Sequence, residues 1–422
     1  MKPQLSRVRW YRIIPIVFIT YSLAYLDRAN FGFAVAGGMA DDLHITPSTS
    51  TLLSSLFFLG YFFFQIPGAQ YAAHRTAKKL IFISLILWGA LATATGLVHN
   101  TTTLIIIRFM LGVVESAVMP AMLILLSQWF TKEERSRANT FLILGNPVTV
   151  LWMSVLSGYL IDSMGWRWMF ILQGAPGILW AFIWWKMIDE RPKEANWLSE
   201  QEKMDIEEQL AGEQVGIKPV KNYAEAFRSR KVILLSLQYL LWSVGVYGFV
   251  MWLPSIIKAA PDMNMVTTGW LSAVPYLLAA TGMLAASYFS DKMGNRKVFI
   301  WPCLLVAAIC LYGTVLLGPD HFWFSYVLLV IAGGALYTPY GPFFAAVADI
   351  LPKNVMGGAI GLINSLGALG SFAGSYLVGY LNGVTGNFNA SYVLMSVALV
   401  LSTVITLIVI PSPRKVQPAH AD

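Results

Sequence analysis

Long apolar stretches separated by short polar segments dominate the hydrophobic pattern of the 422-residue chain. About 20 apolar residues form a helix long enough to cross a bilayer, and the chain contains twelve such stretches. Their predicted bounds are 13–35, 49–72, 80–98, 103–130, 138–161, 168–188, 232–257, 267–290, 298–317, 322–347, 356–381 and 389–411. The pattern therefore predicts an all-α membrane protein with twelve transmembrane helices.

One long polar segment divides these stretches into two sets of six. The loops echo each other, because WFTKEERSRANTF from Trp129 follows the fourth stretch and ILPKNVMGGAIGL from Ile350 follows the tenth. Duplication of a six-span unit is typical of transporters that rock two bundles about a midplane site. We therefore predict an N-terminal bundle, a cytoplasmic linker, a C-terminal bundle and a cytoplasmic tail over residues 1–188, 189–231, 232–411 and 412–422.

Composition and charge agree with a membrane protein and add an orientation. Hydrophobic residues make up 57% of the chain, charged residues 12%, and mean hydropathy is +0.62. Lysine and arginine gather before the first stretch and after even-numbered ones, whereas only Arg167 and Lys258 lie on the other side. The positive-inside rule then places both termini in the cytoplasm. The net charge of +7 thus reflects topology and does not indicate nucleic-acid binding.

Four charged residues fall inside apolar stretches: Asp27 and Arg28 in the first, Arg108 and Glu115 in the fourth. A charge at membrane depth costs about 2.5–3.5 kcal/mol on insertion scales, so such residues usually face a polar cavity and mark a substrate or ion path. Arg108 and Glu115 are seven residues apart and therefore share one helix face. The chain is predicted to handle something charged.

The chemistry of these side chains indicates an anion site with a proton acceptor. The guanidinium of Arg28 can bind a carboxylate through two parallel hydrogen bonds, while Asp27, about 100° round the helix, can point elsewhere. A buried carboxyl group such as Glu115 near an arginine can load and release a proton. An alternative stays open, in which Arg108 and Glu115 form an ion pair that only braces the bundle.

Polar residues for a hydroxylated substrate are expected at similar depth on facing helices. Amide side chains both donate and accept hydrogen bonds, as sugar hydroxyls require. For each aromatic candidate alone, packing is an equally good interpretation, although Pro339, Gly341 and Pro342 predict a flexible or broken helix around them. The candidates are Tyr61, Gln65, Asn146, Tyr337, Tyr340, Phe343 and Asn364.

A short basic loop after the eighth stretch, SDKMGNRK from Ser290, has the composition of a mechanical latch. Gly294 permits a tight bend. Asp291, Lys292 and Arg296 can pair with one another and with helix ends. We predict that this loop holds one conformation of the molecule.

The loop resembles the signature Gly-x-x-x-Asp-Arg/Lys-x-Gly-Arg-Arg/Lys of the major facilitator superfamily. Ser287 replaces its first glycine and Asn295 its first closing basic residue. In the first half, the related AAHRTAKK has Ala73 where the acidic residue is expected. That first copy is also compatible with an ordinary positive-inside loop. The resemblance implies the major facilitator fold, with two six-helix bundles.

Longer segments are similar to the anion:cation symporter family within this superfamily, which imports organic anions with protons. They are YLDRANFGFA from Tyr25, GYFFFQIPGA from Gly60 and RFMLGVVESAVMPAM from Arg108. PIVFITYSLAYLDRANF, LILGNPVTVLWMSVLSGYLI and YGPFFAAV are similar to bacterial 2-ketogluconate permeases. The resemblance implies proton-coupled import of a sugar-acid anion such as 2-keto-D-gluconate across a bacterial inner membrane.

The same resemblance implies roles for individual residues. Asp27 and Glu115 would couple protons, Arg28 would bind the carboxylate and Arg108 would support them. It also implies that Tyr61, Asn146 and Asn364 line the substrate site.

Other functions remain open or are disfavoured. The alternatives are a symporter for another small organic anion (tartrate, another aldonate or an aromatic carboxylate), an exporter, or a receptor without flux. Gly145-Asn146-Pro147 lacks the Gly-Pro pattern of antiporters in the superfamily, which argues against drug export. Histidines without metal-ligand spacing and the lack of a phosphate-binding Gly-rich loop with a lysine predict no enzyme, metal or cofactor. The predicted partners are the carboxylate substrate, protons and lipid, with the chain acting as a monomer.

Overall fold

The computed structural model describes residues 7–214, 228–318, 321–350 and 356–411, and regular structure in these ranges is helical throughout. The predicted tail 412–422, linker residues 215–227 and loop residues 351–355 lie outside the described ranges. Helices up to the linker are α1 (Val8–Ala34), α2 (Ala40–Asp42), α3 (Pro47–His74), α4 (Ala77–Gly96), α5 (Thr101–Glu115), α6 (Val118–Trp129), α7 (Lys132–Met187) and the linker's own α8 (Glu200–Gln214). After it come α9 (Arg230–Lys258), α10 (Met265–Met293), α11 (Trp301–Leu317), α12 (Phe322–Tyr337), α13 (Tyr340–Ile350), α14 (Met356–Thr385) and α15 (Asn389–Val409).

Ten helical segments of the described chain are long and apolar enough to cross a membrane. The chain is therefore a multi-pass membrane protein, as the hydrophobic pattern predicted. Helix α1, which carries the Asp27–Arg28 pair, is not among the ten, and α7 contributes one segment where the pattern predicts two. The count of twelve spans stays a prediction.

Helix α7 is too long to be a single span. Its 56 residues would extend about 84 Å as one straight helix, far beyond the roughly 30 Å hydrocarbon core of a bilayer. Gly165, with φ 83° and ψ 167°, interrupts it. Glycine is the residue that adopts such a conformation without strain, so the chain reverses there with hardly any connecting loop.

The fourth and tenth predicted spans are both broken near their middle. The first break separates Glu115, the end of α5, from Val118, the start of α6. The second separates Tyr337 from Tyr340, at the proline- and glycine-rich segment where the sequence predicted a broken helix. Glu115 therefore lies at the first break, and Tyr337 and Tyr340 lie on either side of the second.

The two halves meet where α1 packs on α9, α3 on α14, and α7 on α10. The last pair touches backbone to backbone. A Cβ atom added to Gly158 would lie 2.5 Å from the Met265 carbonyl oxygen, and one added to Gly269 would lie 2.6 Å from that of Ser154. Only glycine fits at both positions.

Contacts near the chain ends show which end of the molecule this seam closes. Arg9 donates to the Trp129 carbonyl at 2.7 Å and to Glu134 Oε1 at 2.6 Å, so α7 begins beside the start of α1. Gln238, early in α9, donates to Thr406, late in α15, at 3.2 Å. Gly158 contacts Met265 at the start of α10, which follows α9 after a short loop, so the start of α9 and the end of α15 lie away from Gly158. The start of α7 also lies away from Gly158, which is in the middle of that long helix. Both ends of the described chain therefore lie at the end of the molecule opposite Gly158.

The start of the linker packs against the end that holds the chain termini. The Trp197 ring stacks on Trp129 with centroids 5.3 Å apart. Ser199 and Glu202 form a reciprocal cap, because the Glu202 carboxylate accepts from the Ser199 backbone at 2.9 Å and the Ser199 hydroxyl accepts from the Glu202 backbone at 3.3 Å. This pair is a capping box at the start of α8.

Candidate functional site

A central cavity lies between the two halves of the chain. Six of the eight predicted substrate-site candidates line it: Arg28, Tyr61, Gln65, Asn146, Tyr340 and Asn364. The other lining residues are Tyr21, Phe58, Met119, Ile143, Tyr239, Ser243, Tyr247, Phe344, Gly367, Ala368 and Ser371. Helices from both halves thus contribute to one site, which is the arrangement expected for binding at a bundle interface.

Phe343, like Tyr337, is a predicted candidate that does not line the cavity. It is fully buried, and its ring stacks on Tyr239 with centroids 5.4 Å apart and an interplanar angle of 7°. Tyr340 and Phe344 are four residues apart and share the face of α13 that lines the cavity. Phe343 is turned about 100° from Phe344, so it packs behind the wall and supports Tyr239.

Arg28 is the cation of the cavity wall. Its Nε donates to Glu115 Oε2 at 3.1 Å, and its guanidinium carbon lies 4.6 Å from the centroid of the Tyr61 ring and 5.2 Å from that of Tyr25. Only 6% of Arg28 is exposed, and Glu115 is completely buried. Glu115 binds one edge of the Arg28 guanidinium, and Arg28 borders the cavity.

Asp27 and Arg108 form a second pair behind the first. Arg108 Nη1 lies 3.6 Å from Asp27 Oδ2, and both side chains are fully buried. That separation is an ionic contact but too long for a hydrogen bond. Arg108 Nε donates to the Leu53 carbonyl at 3.3 Å, and the guanidinium packs 4.2 Å from the Phe31 ring centroid. Within the described ranges, neither Asp27 oxygen has a hydrogen-bond partner.

The pairing therefore crosses between α1 and α5, which corrects one sequence interpretation. The alternative of an ion pair between Arg108 and Glu115 does not occur, since each pairs instead with α1. The two residues are separated by a rise of about 10 Å along the helix, and each side chain reaches across to α1. The shared face of α5 instead presents both side chains to α1, where Arg28 pairs with Glu115 and Asp27 pairs with Arg108.

A chain of buried amides continues from this network. Asn30 lies one turn beyond Asp27 on α1, and its Nδ2 donates to Gln173 Oε1 at 3.0 Å. Gln173 Nε2 donates to Ser157 Oγ at 2.8 Å. Asn30 Oδ1 has no hydrogen-bond partner among the residues described. The polar interior of the first half thus extends from the charges to the part of α7 next to the seam.

Hydroxyl groups join the two halves across the cavity. Tyr25 on α1 lies with its oxygen 3.5 Å from that of Tyr247 on α9 and 3.3 Å from that of Tyr337 on α12. Ser365 donates to Gln65 Oε1 at 3.5 Å. Tyr337, also a sequence candidate, is thus placed beside the cavity, within a bridge between the halves.

Sequence reasoning missed the contribution of α9. Tyr239, Ser243 and Tyr247 all line the cavity and are spaced by four residues, so they share one helix face. That spacing of polar side chains within an apolar span was the available signal. It was obscured because α9 is buried on nearly all sides, so hydrophobicity does not distinguish its cavity face.

The predicted latch has the expected contacts at three of its four residues. Gly294 ends α10 in the left-handed conformation, with φ 63°. Arg296 pairs with Asp291, donates to Ser290 Oγ at 3.2 Å and lies 3.4 Å from Asp349 Oδ2. Lys292 is exposed and takes no part in these contacts. The role of a latch remains a prediction.

In the first half, a carboxylate outside the related loop, AAHRTAKK from Ala72, caps the helix that follows this loop. Glu190, just after α7, accepts from the backbone N–H groups of Ala77 and Lys78 at 2.9 and 2.7 Å. An acidic group at a helix N-terminus satisfies free N–H groups and the helix dipole. Although Ala73 leaves the loop without its own acid, α4 is still capped by one.

An all-helical, multi-pass chain whose halves share a charged central cavity has the architecture of a secondary transporter. The profile of the Major Facilitator Superfamily matches residues 17–375, with a second match over 257–422. The chain belongs to this superfamily. Its relatives and fold are those of transporters and not of enzymes.

Named relatives match along nearly their whole length. A protein of Agrobacterium vitis named as a tartrate transporter is 29% identical over 98% of this chain and 93% of its own length. The quinolone resistance transporter of Acinetobacter baumannii is 27% identical over 94% and 93%. The D-galactonate transporter of Escherichia coli O6:H1 is 25% identical over 93% and 94%.

Among solved structures, the chain is similar to a bacterial homologue of the human lysosomal transporter Spinster in an inward-facing, occupied conformation. The TM-score is 0.77 at 17% identity, covering 96% of this chain and 97% of the other. At this identity the similarity concerns the fold.

Proposed function

We propose that the chain imports an organic-acid anion together with protons, with a sugar acid, first of all 2-keto-D-gluconate, as substrate. The observation that carries the proposal is the position of Arg28, which lines a cavity shared by both halves while its Nε is bound to Glu115. A cation with a carboxylate beside it can exchange that partner for a substrate carboxylate.

Binding would use both walls of the cavity. The Arg28 guanidinium would hold the carboxylate through paired hydrogen bonds. Amides and hydroxyls of Gln65, Asn146, Tyr340 and Asn364 would serve the hydroxyl groups of the substrate, since such groups both donate and accept.

Coupling would follow from competition for Arg28. When Glu115 binds a proton it loses its charge, and Arg28 becomes free to bind the substrate. Asp27 would also couple protons, with Arg108 in a supporting role, as the resemblance implies. A proton drives transport only if its binding free energy differs between the two facing states, so Glu115 would bind more tightly to Arg28 in one of them.

The proposed topology has twelve spans with both termini in the cytoplasm. The ten apolar segments become twelve when α1 is included and α7 is divided at Gly165. The chain ends lie at one end of the molecule, as an even number of spans requires. The basic loops favour the cytoplasm for that end, and the proposed location is a bacterial inner membrane.

The names of the relatives support an organic-acid substrate. The Escherichia coli relative is named for galactonate, a sugar acid, and the Agrobacterium relative for tartrate, also a carboxylic acid. Each shares more than nine-tenths of its length with this chain.

The aromatic lining supports an aromatic carboxylate as a second candidate. Seven aromatic residues border the cavity: Tyr21, Phe58, Tyr61, Tyr239, Tyr247, Tyr340 and Phe344. Flat rings can stack on such walls. Quinolones themselves carry an aromatic carboxylate, so the Acinetobacter relative is compatible with this candidate and with transport in the outward direction.

Uptake into proteoliposomes with an alkaline interior tests the proposal. Labelled 2-keto-D-gluconate, D-gluconate, tartrate, benzoate and glucose are compared, with protein-free liposomes and a protonophore as controls. A step of one pH unit sustains about tenfold accumulation at one proton per substrate, because 1.4 kcal/mol corresponds to a factor of ten. Accumulation of glucose alone, or of an acid equally with and without the protonophore, contradicts the proposal.

A further inference from the structure

The charge of the cavity wall is confined to one side. Among the described residues that line the cavity, Arg28 is the one charged side chain. The second half contributes Tyr239, Ser243, Tyr247 and further uncharged residues. A ligand in this cavity therefore meets a single cation at one end and hydroxyls, amides and rings at the other.

The number of cations limits the number of carboxylates that the cavity can hold. A carboxylate removed from water is tolerated when a cation or several hydrogen bonds compensate its lost hydration. Arg28 can compensate one. A second carboxylate on a short substrate would reach toward Ser243, Asn364 and Ser371, where no positive charge offsets its desolvation.

We infer that the site selects monocarboxylates and rejects dicarboxylates of the same length, the carboxylate being held by the first half and an uncharged polar end by the second. The inference rests on the proposed function and narrows its substrate class. It separates this chain from the Agrobacterium relative, because tartrate carries two carboxylates.

Matched acids test the inference on the purified full-length chain. D-gluconate and D-glucarate have the same carbons and hydroxyl configuration and differ at one end, which is an alcohol in the first and a carboxylate in the second. D-galactonate and galactarate form a second pair, benzoate and phthalate a third. Each acid is titrated while the thermal unfolding midpoint is followed, since a ligand of the folded state raises that midpoint according to its affinity.

The expected result is a preference of about hundredfold for the monocarboxylate of at least one pair. The second carboxylate of the other acid would lose its hydration without gaining a cation, and this weakens binding. A dicarboxylate that binds as well as its partner, or better, overturns the inference and leaves the proposed anion transport intact. If no acid of either class raises the midpoint, the proposed function itself fails.

A second cation in the opposite wall should reduce the preference. Asn364→Lys is expected to bind D-glucarate about tenfold more tightly than the parent chain, since one added ion pair of about 1.4 kcal/mol is a factor of ten. Asn364→Gln, of similar size but uncharged, should leave the ratio of the two acids unchanged. Equal ratios in both variants argue against the inference; should the lysine variant not fold, the ratio in the parent chain decides.

Discussion

The two halves of the molecule differ in how they use charge. Every buried charged side chain of the described ranges precedes the second half: Arg9, Asp27, Arg28, Arg108 and Glu115 lie in the first half, and Glu190 lies at the start of the linker. The interior of the second half relies on neutral groups such as Gln238, Ser243 and Thr406. The comparison indicates that, although the two halves echo each other in sequence, the first contributes buried charges and the second contributes neutral side chains to the interior.

The largest expected effect is on stability and concerns Arg108. Arg108→Ala leaves Asp27 buried without its cation, and breaking a buried pair in this way costs about 3–5 kcal/mol. Gln238→Ala in the second half removes one neutral hydrogen bond, worth about 1 kcal/mol, and serves as the matched control. The free energy of unfolding in mixed micelles measures both.

Adding Asp27→Asn to Arg108→Ala should recover part of the loss, because the orphaned charge is gone. Equal losses for Arg108→Ala and Gln238→Ala would remove the energetic distinction between the halves.

The next effect is on affinity and concerns Arg28. Arg28→Lys keeps the charge but loses the planar fork that binds a carboxylate through two bonds. We expect affinity for the transported acid to fall about hundredfold, or roughly 2.7 kcal/mol, while the unfolding midpoint changes little. Equilibrium binding on protein in nanodiscs measures this, and near-normal affinity in the lysine variant would take Arg28 out of the binding site.

A third test separates binding from coupling. Glu115→Gln imitates the protonated carboxyl group, so it should bind substrate and exchange labelled for unlabelled substrate across liposomes. It should lose the roughly tenfold accumulation that one pH unit supports, because no proton can leave. Accumulation equal to that of the parent chain would make Glu115 a structural partner of Arg28 and pass the coupling role to Asp27.

The smallest effect is expected in the neutral wall. Asn364→Ala removes one hydrogen-bonding amide, worth about 1 kcal/mol or roughly fivefold in KM. Because no proton is bound there, the accumulation ratio at saturating substrate should not change. Uptake kinetics at several pH gradients measure both quantities, and a loss of gradient dependence would show that the second half takes part in coupling.

The sequence predicted the helical membrane fold and six of the residues that line the cavity, because both depend on patterns along a single helix. Apolar length identifies spans, and charges such as Arg28 stand out against an apolar background. Pro339 and Gly341 indicated the break in the tenth span for the same local reason.

Contacts between helices were less accessible. The crossing of Asp27 with Arg108 depends on the rotation of α5 against α1, which no spacing within one helix reveals. Phe343 and Tyr239 illustrate the same limit, since a ring in the wall and a ring behind it have the same apolar signature. Glu190 reaches the first-half loop from a position more than a hundred residues away.

The glycine seam between α7 and α10 also has a thermodynamic consequence. Where Gly158 faces Gly269, the surfaces in contact consist largely of peptide groups with little side chain between them. Exposing apolar surface raises the heat capacity and exposing polar surface lowers it. Separating the two helices at the Gly158–Gly269 contact would therefore expose little apolar surface there, and this contact would add little to the heat-capacity change that curves the stability of the protein as a whole.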